Sequence, residues 1–571
     1  MELLDKAQRW ADHDPDPATA SSLKADIEAA RGGDGEALAR VGAAMNGPLE
    51  FGTAGLRGVV GPGESRMNLA VVIRATAGLC EVVKRHATGT PTLVVGCDAR
   101  YGSHTFAVTA AEVFAGAGFE VTLLPTPTPT PVLAWLVKYR GLDAGVQITA
   151  SHNPASDNGY KVYVDGGSQL ISPDDREIEK HIARISLDDV ANIPRVTVRP
   201  APDQLCHYLD AVVSLVEPAS SDRLRVNNER ADFKVAYTAL HGVGGRALKQ
   251  ALQWAGFAMT WSVASQHHPD PTFPTVDFPN PEEPGATDQL IELGQQVDAD
   301  ILVALDPDAD RCAIGIRTED TDGHSGRRHF RMLRGDELGP LLATRIVDTR
   351  MATTRKAFGT VAAPVVATTV VSSQLLGNIA TQRGWDYQET LTGFKHLARA
   401  ATGRPGELVF AYEEAIGTCP APWMVADKDG IATALVACSW AAELKAQGST
   451  LEEQLEALYQ QHGYFQGTQI FVRTPNPRDV ITQLENTCPD TLAGMPLVIG
   501  SLPENQGLTL TATQAGDGPQ HTGAIPAVRI IGRASGTEPK AKFYIETHAH
   551  THAQAQQLLQ LAEQFVQQHV S

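Results

Sequence analysis

Ile301-Leu302-Val303-Ala304-Leu305-Asp306-Pro307-Asp308-Ala309-Asp310-Arg311 joins an unbroken apolar run to a turn that holds three carboxylates. The apolar run predicts a buried strand, and in open α/β sheets ligands bind beyond the carboxyl ends of such strands. Asp306, Asp308 and Asp310 fall on alternate residues, so an extended backbone would point all of them the same way. Converging anionic oxygens repel unless a hard divalent ion such as Mg²⁺ lies among them, with positions left open for a phosphate oxygen. An EF-hand loop needs glycine at its sixth position and glutamate at its twelfth; Arg311 and Arg317 stand there, which excludes it. The ordinary alternative is an acidic turn capping a helix, which Pro307 and Arg311 suit less well than a stiff loop beside an anion.

A second strand leads to a hydroxyl. Asp143 to Thr149 reads as a short buried strand, and the following Ala150-Ser151-His152-Asn153-Pro154 cannot continue it, because proline lacks a donor and fixes φ. Ser151 is therefore expected on a loop at a strand's carboxyl end. A serine hydroxyl is not nucleophilic alone, so it needs a base or a neutralising cation, for which His152 and Lys161 are the local candidates. A Ser/Asn turn with a proline stop is the plainer reading of this segment by itself. Taken with the carboxylate loop, it points to phosphoryl transfer.

Two further segments suit anions. Phe51-Gly52-Thr53-Ala54-Gly55-Leu56-Arg57-Gly58 is a glycine-punctuated loop with an arginine, where backbone N–H groups can approach an anion closely. Arg533-Ala534-Ser535-Gly536-Thr537-Glu538-Pro539-Lys540 gathers a guanidinium, hydroxyls, a glycine amide and an ammonium after the apolar strand Val528 to Ile531, a set fitted to a phosphate dianion. An ordinary polar hairpin is the alternative there.

These segments, in this order and with Asp157-Asn158-Gly159-Tyr160-Lys161, Thr392-Gly393-Phe394-Lys395 and Glu413-Glu414-Ala415-Ile416-Gly417 between them, resemble the α-D-phosphohexomutase family of phosphoglucomutases and phosphomannomutases over nearly the whole chain. The resemblance implies an α/β protein of four domains, three similar mixed α/β sandwich domains and a smaller α+β domain, around a central cleft. The divisions expected are 1–204, 205–325, 326–463 and 464–571. It implies a mutase that interconverts sugar 1-phosphate and 6-phosphate through a phosphorylated Ser151 and a sugar 1,6-bisphosphate. Ser151, His152, Lys161 and Arg57 would serve catalysis, with Lys161 either a general base of lowered pKa or a screening charge. Ser151, Asp306, Asp308 and Asp310 would hold Mg²⁺. Thr53, Arg311, Thr392, Lys395, Glu413, Lys428, Arg533, Ser535, Gly536, Thr537 and Lys540 would bind substrate.

One departure bears on the sugar. Family phosphoglucomutases commonly carry Glu-x-Ser where this chain has Glu413-Glu414-Ala415, and the histidine often found ahead of Lys428 is missing. This resembles the phosphopentomutase-like and bisphosphate-synthase subgroup. Glucose phosphate is favoured because Glu413 remains, with phosphopentomutase, phosphomannomutase or sugar 1,6-bisphosphate synthase as alternatives. From other classes, a Mg-dependent phosphatase would not need the second anchor at Arg533, and a silent phosphosugar sensor would leave the three aspartates without a purpose.

Composition fits these expectations. The 571 residues exceed what one core usually holds, roughly 250 to 300, so several domains and clefts between them are expected. A formal charge of −19 argues against nucleic acid or an anionic membrane as partner, and no obligate protein partner is evident. Seven scattered cysteines without C-x-x-C spacing argue against zinc and disulfides and suit a reducing cytoplasm. The start Met1-Glu2-Leu3-Leu4-Asp5 lacks a basic leader, and no run reaches a membrane span of roughly 18 apolar residues. Residues 1 to about 45 show helical periodicity and are expected to clasp the first domain. Pro125 to Pro131 is expected as a rigid loop leading into a helix with Trp135, and Ile431 to Ala442 as a buried helix. His241-Gly242-Val243-Gly244-Gly245 matches a dinucleotide fingerprint only loosely, since no acidic partner follows. No internal repeat is visible; the threefold similarity comes from the resemblance alone.

Overall fold

In the computed structural model, which describes residues 2–52, 55–318, 329–358, 362–503, 506–513, 525–534 and 540–570, one sheet pattern occurs three times. In the first sheet Thr92–Cys97 is flanked by the parallel strands Glu120–Leu123 and Ala144–Ile148, and Asp157–Val164 returns antiparallel. In the second, Lys234–Thr238 lies between Met259–Ser262 and Ile301–Leu305, and Cys312–Thr318 returns. In the third, Val365–Thr369 lies between Asp386–Thr390 and Leu408–Glu413, and Gly417–Cys419 returns. Parallel neighbours require crossovers, and the helices Ser103–Gly116 and Thr130–Arg140 supply them in the first sheet. Burial on both faces explains the unbroken apolar runs: every residue of Ile301–Leu305 and Ala144–Ile148 is buried.

The repeated wiring positions the site. The turn between the third parallel strand and its antiparallel return is residues 149–156 in the first sheet, 306–311 in the second and 414–416 in the third. These are the serine loop, the carboxylate loop and the Glu413 loop. Each contains a non-glycine residue in the left-handed region, Ser151 at φ 52°, Ala309 at φ 58° and Ile416 at φ 49°. Such residues are uncommon, and strain of this kind collects at functional turns.

The fourth sheet is antiparallel, ordered Tyr464–Arg473, Lys540–Ala549, Val528–Ala534, Leu508–Ala512, Met495–Ser501 and Thr491–Leu492. Helices Pro477–Thr487 and His552–Val570 pack on it through Leu484, Phe543, Ile545 and Phe565, the α+β arrangement expected. At the other end, helices Glu2–His13, Pro17–Arg31 and Gly35–Ala44 bury Trp10, Leu23, Ile27 and Val41 in one core with Phe51, Leu56 and Val72, so the amino-terminal segment does clasp the first domain.

The first three domains share apolar contacts as well. One cluster runs from Leu133 and Tyr208 through Leu248 and Val303 to Leu435 and Trp440. The buried helix expected at 431–442 spans Gly430–Ala446. Asp429 caps it by accepting from Ala432 N at 2.9 Å and accepts from the Tyr208 hydroxyl at 2.7 Å. Burial raises the Asp429 carboxyl from 3.8 to about 6. Because its folded-state value is raised, its protonated form contributes stability that is complete below about pH 4 and is lost as pH climbs through about 6. Asp429→Asn cannot ionise, so its denaturation midpoint should improve relative to the wild type as pH rises across that window. A flat difference in urea or thermal melts would rule out this linkage.

Candidate active site

Ser151 is buried, 2% exposed, and its Oγ donates to Asp306 Oδ2 at 3.0 Å, so the serine and carboxylate loops meet directly. His152 Nδ1 lies 3.3 Å from the same Oγ. Burial, with Arg311 and Arg57 adding repulsion, holds the His152 imidazole well below its usual pKa and therefore neutral. Arg57 reaches this loop too, donating to Asn153 Oδ1 at 3.0 Å.

What shapes the serine loop was missed in the sequence. Arg100 donates to four carbonyls of one turn: Ser151 O and Asn153 O at 2.6 Å, Pro154 O at 2.7 Å and Asp157 O at 3.2 Å. Asp98 fixes Arg100 in turn, accepting from its backbone N at 2.9 Å and lying 3.3 Å from its Nε. The available signal was Asp98-Ala99-Arg100 directly after the buried strand Thr92–Cys97, at the same strand end where Ser151 was expected.

The carboxylate loop converges, but for a different reason than alternation along an extended chain. Ala309 is left-handed and its N–H closes a turn on Asp306 O at 2.9 Å, so a tight turn brings the side chains together. The ligand atoms of Asp306, Asp308 and Asp310 all lie within 4.8 Å of one another, fully buried. Asp308 Oδ2 accepts from Lys161 Nζ at 2.7 Å and Thr130 Oγ1 at 2.6 Å, while Asp310 Oδ2 lies 3.0 Å from Lys161 Nζ and 3.4 Å from Lys428 Nζ. Among the described residues, Asp308 Oδ1 and Asp310 Oδ1 are buried without a hydrogen-bond partner. Burial and the other two carboxylates push Asp306 well above the carboxylate range. Unsatisfied hard oxygens and like-charge crowding are what a divalent cation would relieve, so the three carboxylates fit one.

Thr130 and the glycine loop were also unforeseen parts of this wall. The proline-rich segment is indeed a loop leading into Thr130–Arg140, and Thr130 ties it to Asp308 through both its hydroxyl and its N–H, the latter at 2.9 Å to Asp308 O. The 241–245 loop backs the metal loop: Val243 N donates to Pro307 O at 2.8 Å, and a Cβ at Gly242 would lie 2.2 Å from Pro307 Cα. Only glycine permits that approach.

Lys161 differs from one expectation. Burial alone would lower its pKa, but Asp308 and Asp310 outweigh it and the net direction is upward. That environment holds an ammonium, and it favours the screening role over a general base. Lys428 Nζ sits between Asp310 and Asp427, 3.3 Å from the latter. Burial raises the Glu413 carboxyl, opposed by Lys428 and Arg311, which places Glu413 beside the same cations.

A second group forms apart from these. Arg533 Nη1 donates to Thr392 Oγ1, and Lys395 is lowered by burial with Arg533 adding repulsion, so Thr392, Lys395 and Arg533 share one locality although they come from the third and fourth domains. Lys540 lies over the Phe471 ring at 5.2 Å. Thr53, Ser535, Gly536 and Thr537 lie outside the described residues.

Three family models match along the chain: phosphoglucomutase/phosphomannomutase alpha/beta/alpha domain I at residues 48–189, domain II at 207–319 and domain III at 334–462. The chain belongs to the phosphoglucomutase/phosphomannomutase family. Among its relatives in this family are a Haemophilus influenzae protein named "Probable phosphomannomutase", 35% identical over 84% of this chain and 93% of its own length, and the phosphopentomutase of Mus musculus, 33% identical over 95% and 90%. The phosphoglucomutase of Staphylococcus epidermidis is 32% identical over 88% and 91%. The crystal structure of parafusin, a Paramecium phosphoglucomutase, has the same fold with a TM-score of 0.68, 20% identity, and coverage of 91% of this chain and 94% of that one. As a member of the phosphoglucomutase/phosphomannomutase family the protein is a phosphosugar mutase, an intramolecular phosphotransferase. Arg100→Lys keeps the charge without the fork that spans four carbonyls. Mutase turnover should fall roughly 10- to 100-fold, because small displacements of a reacting group cost that much. Circular dichroism should be unchanged, and a wild-type rate would mean that the loop keeps its shape unaided.

Proposed function

We propose that the protein interconverts sugar 1-phosphate and sugar 6-phosphate, glucose phosphate foremost, through a phosphorylated Ser151 and a sugar bisphosphate. The observation that carries this is the 3.0 Å contact of the Ser151 hydroxyl with Asp306, in a triad whose Asp308 and Asp310 each keep a buried oxygen with no hydrogen-bond partner among the described residues. Asp306, Asp308 and Asp310, with a phosphate oxygen on Ser151, would hold Mg²⁺, which would draw charge from the phosphoryl group.

The chain's own groups have these roles. Lys161 and Arg57 screen the phosphoryl oxygens, and Arg100 holds the loop so that Ser151 keeps one orientation. A free hydroxyl of the bound sugar attacks the phosphorus, the bond to Ser151 Oγ breaks, and the hydroxyl proton must leave. His152, held neutral beside Ser151 Oγ, takes that proton and returns it when the serine is freed. Arg533, with Thr392 and Lys395 beside it, grips the substrate's other phosphate, a task we extend to Ser535, Gly536, Thr537 and Lys540. Anchoring at that end makes the transfer effectively intramolecular. After reorientation of the bisphosphate, Ser151 recovers the other phosphoryl group. We take the domains to divide as 1–204, 205–325, 326–463 and 464–571. The cytoplasm is the proposed compartment, supported by seven unpaired cysteines; no described helix is long and apolar enough to cross a membrane.

A second reading, a pentose substrate, is favoured by Ala415 in the Glu413 loop and by the similarity to proteins named phosphopentomutase. Both readings require the phosphoserine. Ser151→Ala should leave less than about one part in a thousand of the isomerisation rate, since nucleophile removal abolishes the covalent route. Chelation with EDTA should do the same reversibly, and release of free phosphate should stay far below isomer formation. Wild-type turnover by Ser151→Ala would end the phosphoserine reading. A ribose 1-phosphate preference above about tenfold would transfer the assignment to the pentose.

A further inference from the structure

Between the strand Met259–Ser262 and the helix Asp288–Gln296 runs a long connection, within the segment matched as domain II, that sends Phe273 back onto the first domain. Phe273 is 3% exposed, and the centre of its ring lies 4.8 Å from Cζ of Arg100. The edge of that guanidinium is already taken up. Its Nη1 donates to Pro154 O and Asp157 O, its Nη2 to Ser151 O and Asn153 O, and its Nε lies 3.3 Å from Asp98 Oδ2. A flat face is what remains, and the ring covers it. An aromatic quadrupole attracts a guanidinium set over it, more strongly where water is excluded.

The backbone beneath the ring is strained. Phe273 is left-handed at φ 46°, and so are Leu240 and His241, at φ 44° and 59°, in the turn bonded to this connection. Such conformations persist only where the surroundings over-determine them, and a ring that only filled space would not call for them. His241 fastens the connection on both sides of Phe273. Its carbonyl accepts from Asp270 N at 2.9 Å, and its Nε2 lies 2.8 Å from Thr275 Oγ1, which also accepts from Gln266 Nε2 at 2.8 Å. Phe273 N donates to Asp270 O at 3.2 Å, and the His241 ring meets the Phe273 ring edge-on at 6.5 Å. The next residue of the same turn is Gly242, the glycine pressed against Pro307. One bracket of the second domain therefore touches both halves of the site, the carboxylate loop through Gly242 and the serine loop through Phe273 and Arg100.

Arg100 and the carbonyls it gathers all lie in the segment matched as domain I, so the ring is what the second domain adds to their support. A fork free to tilt would loosen its contacts with Ser151 O and Asn153 O, and Ser151 Oγ would leave its line to Asp306. We propose that Phe273 is a positioning residue for phosphoryl transfer, its ring holding the Arg100 fork flat against the serine loop so that Ser151 faces the carboxylates. This inference rests on the mutase reading above.

The test separates the ring's electrostatics from its bulk. Phe273→Leu should lower kcat roughly 5- to 50-fold with KM within about threefold, because the reacting group is displaced while substrate contacts stay. Fluorinated phenylalanines at position 273 keep the shape and weaken the negative face, so kcat should fall stepwise from phenylalanine through 4-fluoro- to 3,4,5-trifluorophenylalanine. In an Arg100→Lys background, Phe273→Leu should cost at most about twofold more, since no fork remains to be held. Hydrogen exchange of a peptide spanning residues 150–157 should quicken in Phe273→Leu, while the strand Ile301–Leu305 keeps its protection. A kcat indifferent to fluorination, an equal cost in both backgrounds, or a lowered Tm with exchange at 150–157 unchanged would make the ring a filler and overturn the assignment. Wild-type inactivity on every sugar phosphate would instead remove the mutase reading, and this inference with it.

Discussion

Three buried carboxylates on one turn are the constraint around which the first three domains close. Their oxygens lie within 4.8 Å, and each like-charge pair costs on the order of 4 kcal/mol at an effective dielectric of about 20. No cation on the turn itself can relieve all of that, since Arg311 is only adjacent, its Nε 3.9 Å from Asp310. Relief comes from Lys161 of the first domain and Lys428 of the third. The hydroxyls of Thr130 and Ser151 add donors from the first. The loop therefore cannot be satisfied unless domains remote in sequence close over it. Electrostatics and the shared apolar cluster from Leu133 to Trp440 favour the same arrangement.

Using one connection three times accounts for how the loops meet. In each sheet the third parallel strand turns back on itself, and the turn bears the functional side chain: Ser151, the aspartates, or Glu413 with Glu414. A hairpin tip at a strand's carboxyl end is fixed on both sides by ladder hydrogen bonds, so it is stiffer than a free loop of equal length. The left-handed residue in each turn lets the chain reverse within a few residues. Glycine would adopt that conformation more readily. Ser151 at φ 52° shows that the hydroxyl's position outweighs the local strain, with Arg100 and its carbonyl contacts holding the turn against relaxation.

Much of this was legible in the chain itself, and the part that was not shares one physical character. Ile301–Leu305, the helix at 430–446 and the fourth domain's strands could be read because apolar runs and periodicity are local. The carboxylates and Ser151 could be read because their chemistry is unusual wherever it occurs. What escaped were pairings across long separations: Thr130 with Asp308, Arg100 with the serine loop, Gly242 against Pro307. The threefold wiring was expected only through the family resemblance, since strand order is a property of pairing and leaves no periodic trace in the residues. The convergence of the aspartates was foreseen with the wrong cause, because alternation cannot distinguish an extended run from a turn closed by a left-handed Ala309.

Charge counting around the triad bears on why a phosphoserine and a divalent cation belong together in the proposed mechanism. Lys161, Lys428 and, at 3.9 Å, Arg311 already offset part of the charge on Asp308 and Asp310. A dication bound by those carboxylates would add its charge to a buried pocket that already holds these cations, and a low-dielectric surround penalises any excess. Phosphorylated serine carries about −1.5 to −2 charge near neutral pH. Placed at Ser151, whose oxygen already contacts Asp306, it restores the balance. Cation and covalent phosphate would then stabilise each other, and the pocket would resist holding either alone. That coupling also bears on hydrolysis: loss of the phosphoryl group to water would return the site to an unbalanced state unless the cation left too, whereas transfer to a sugar anchored at Arg533 keeps the dianion in the cleft.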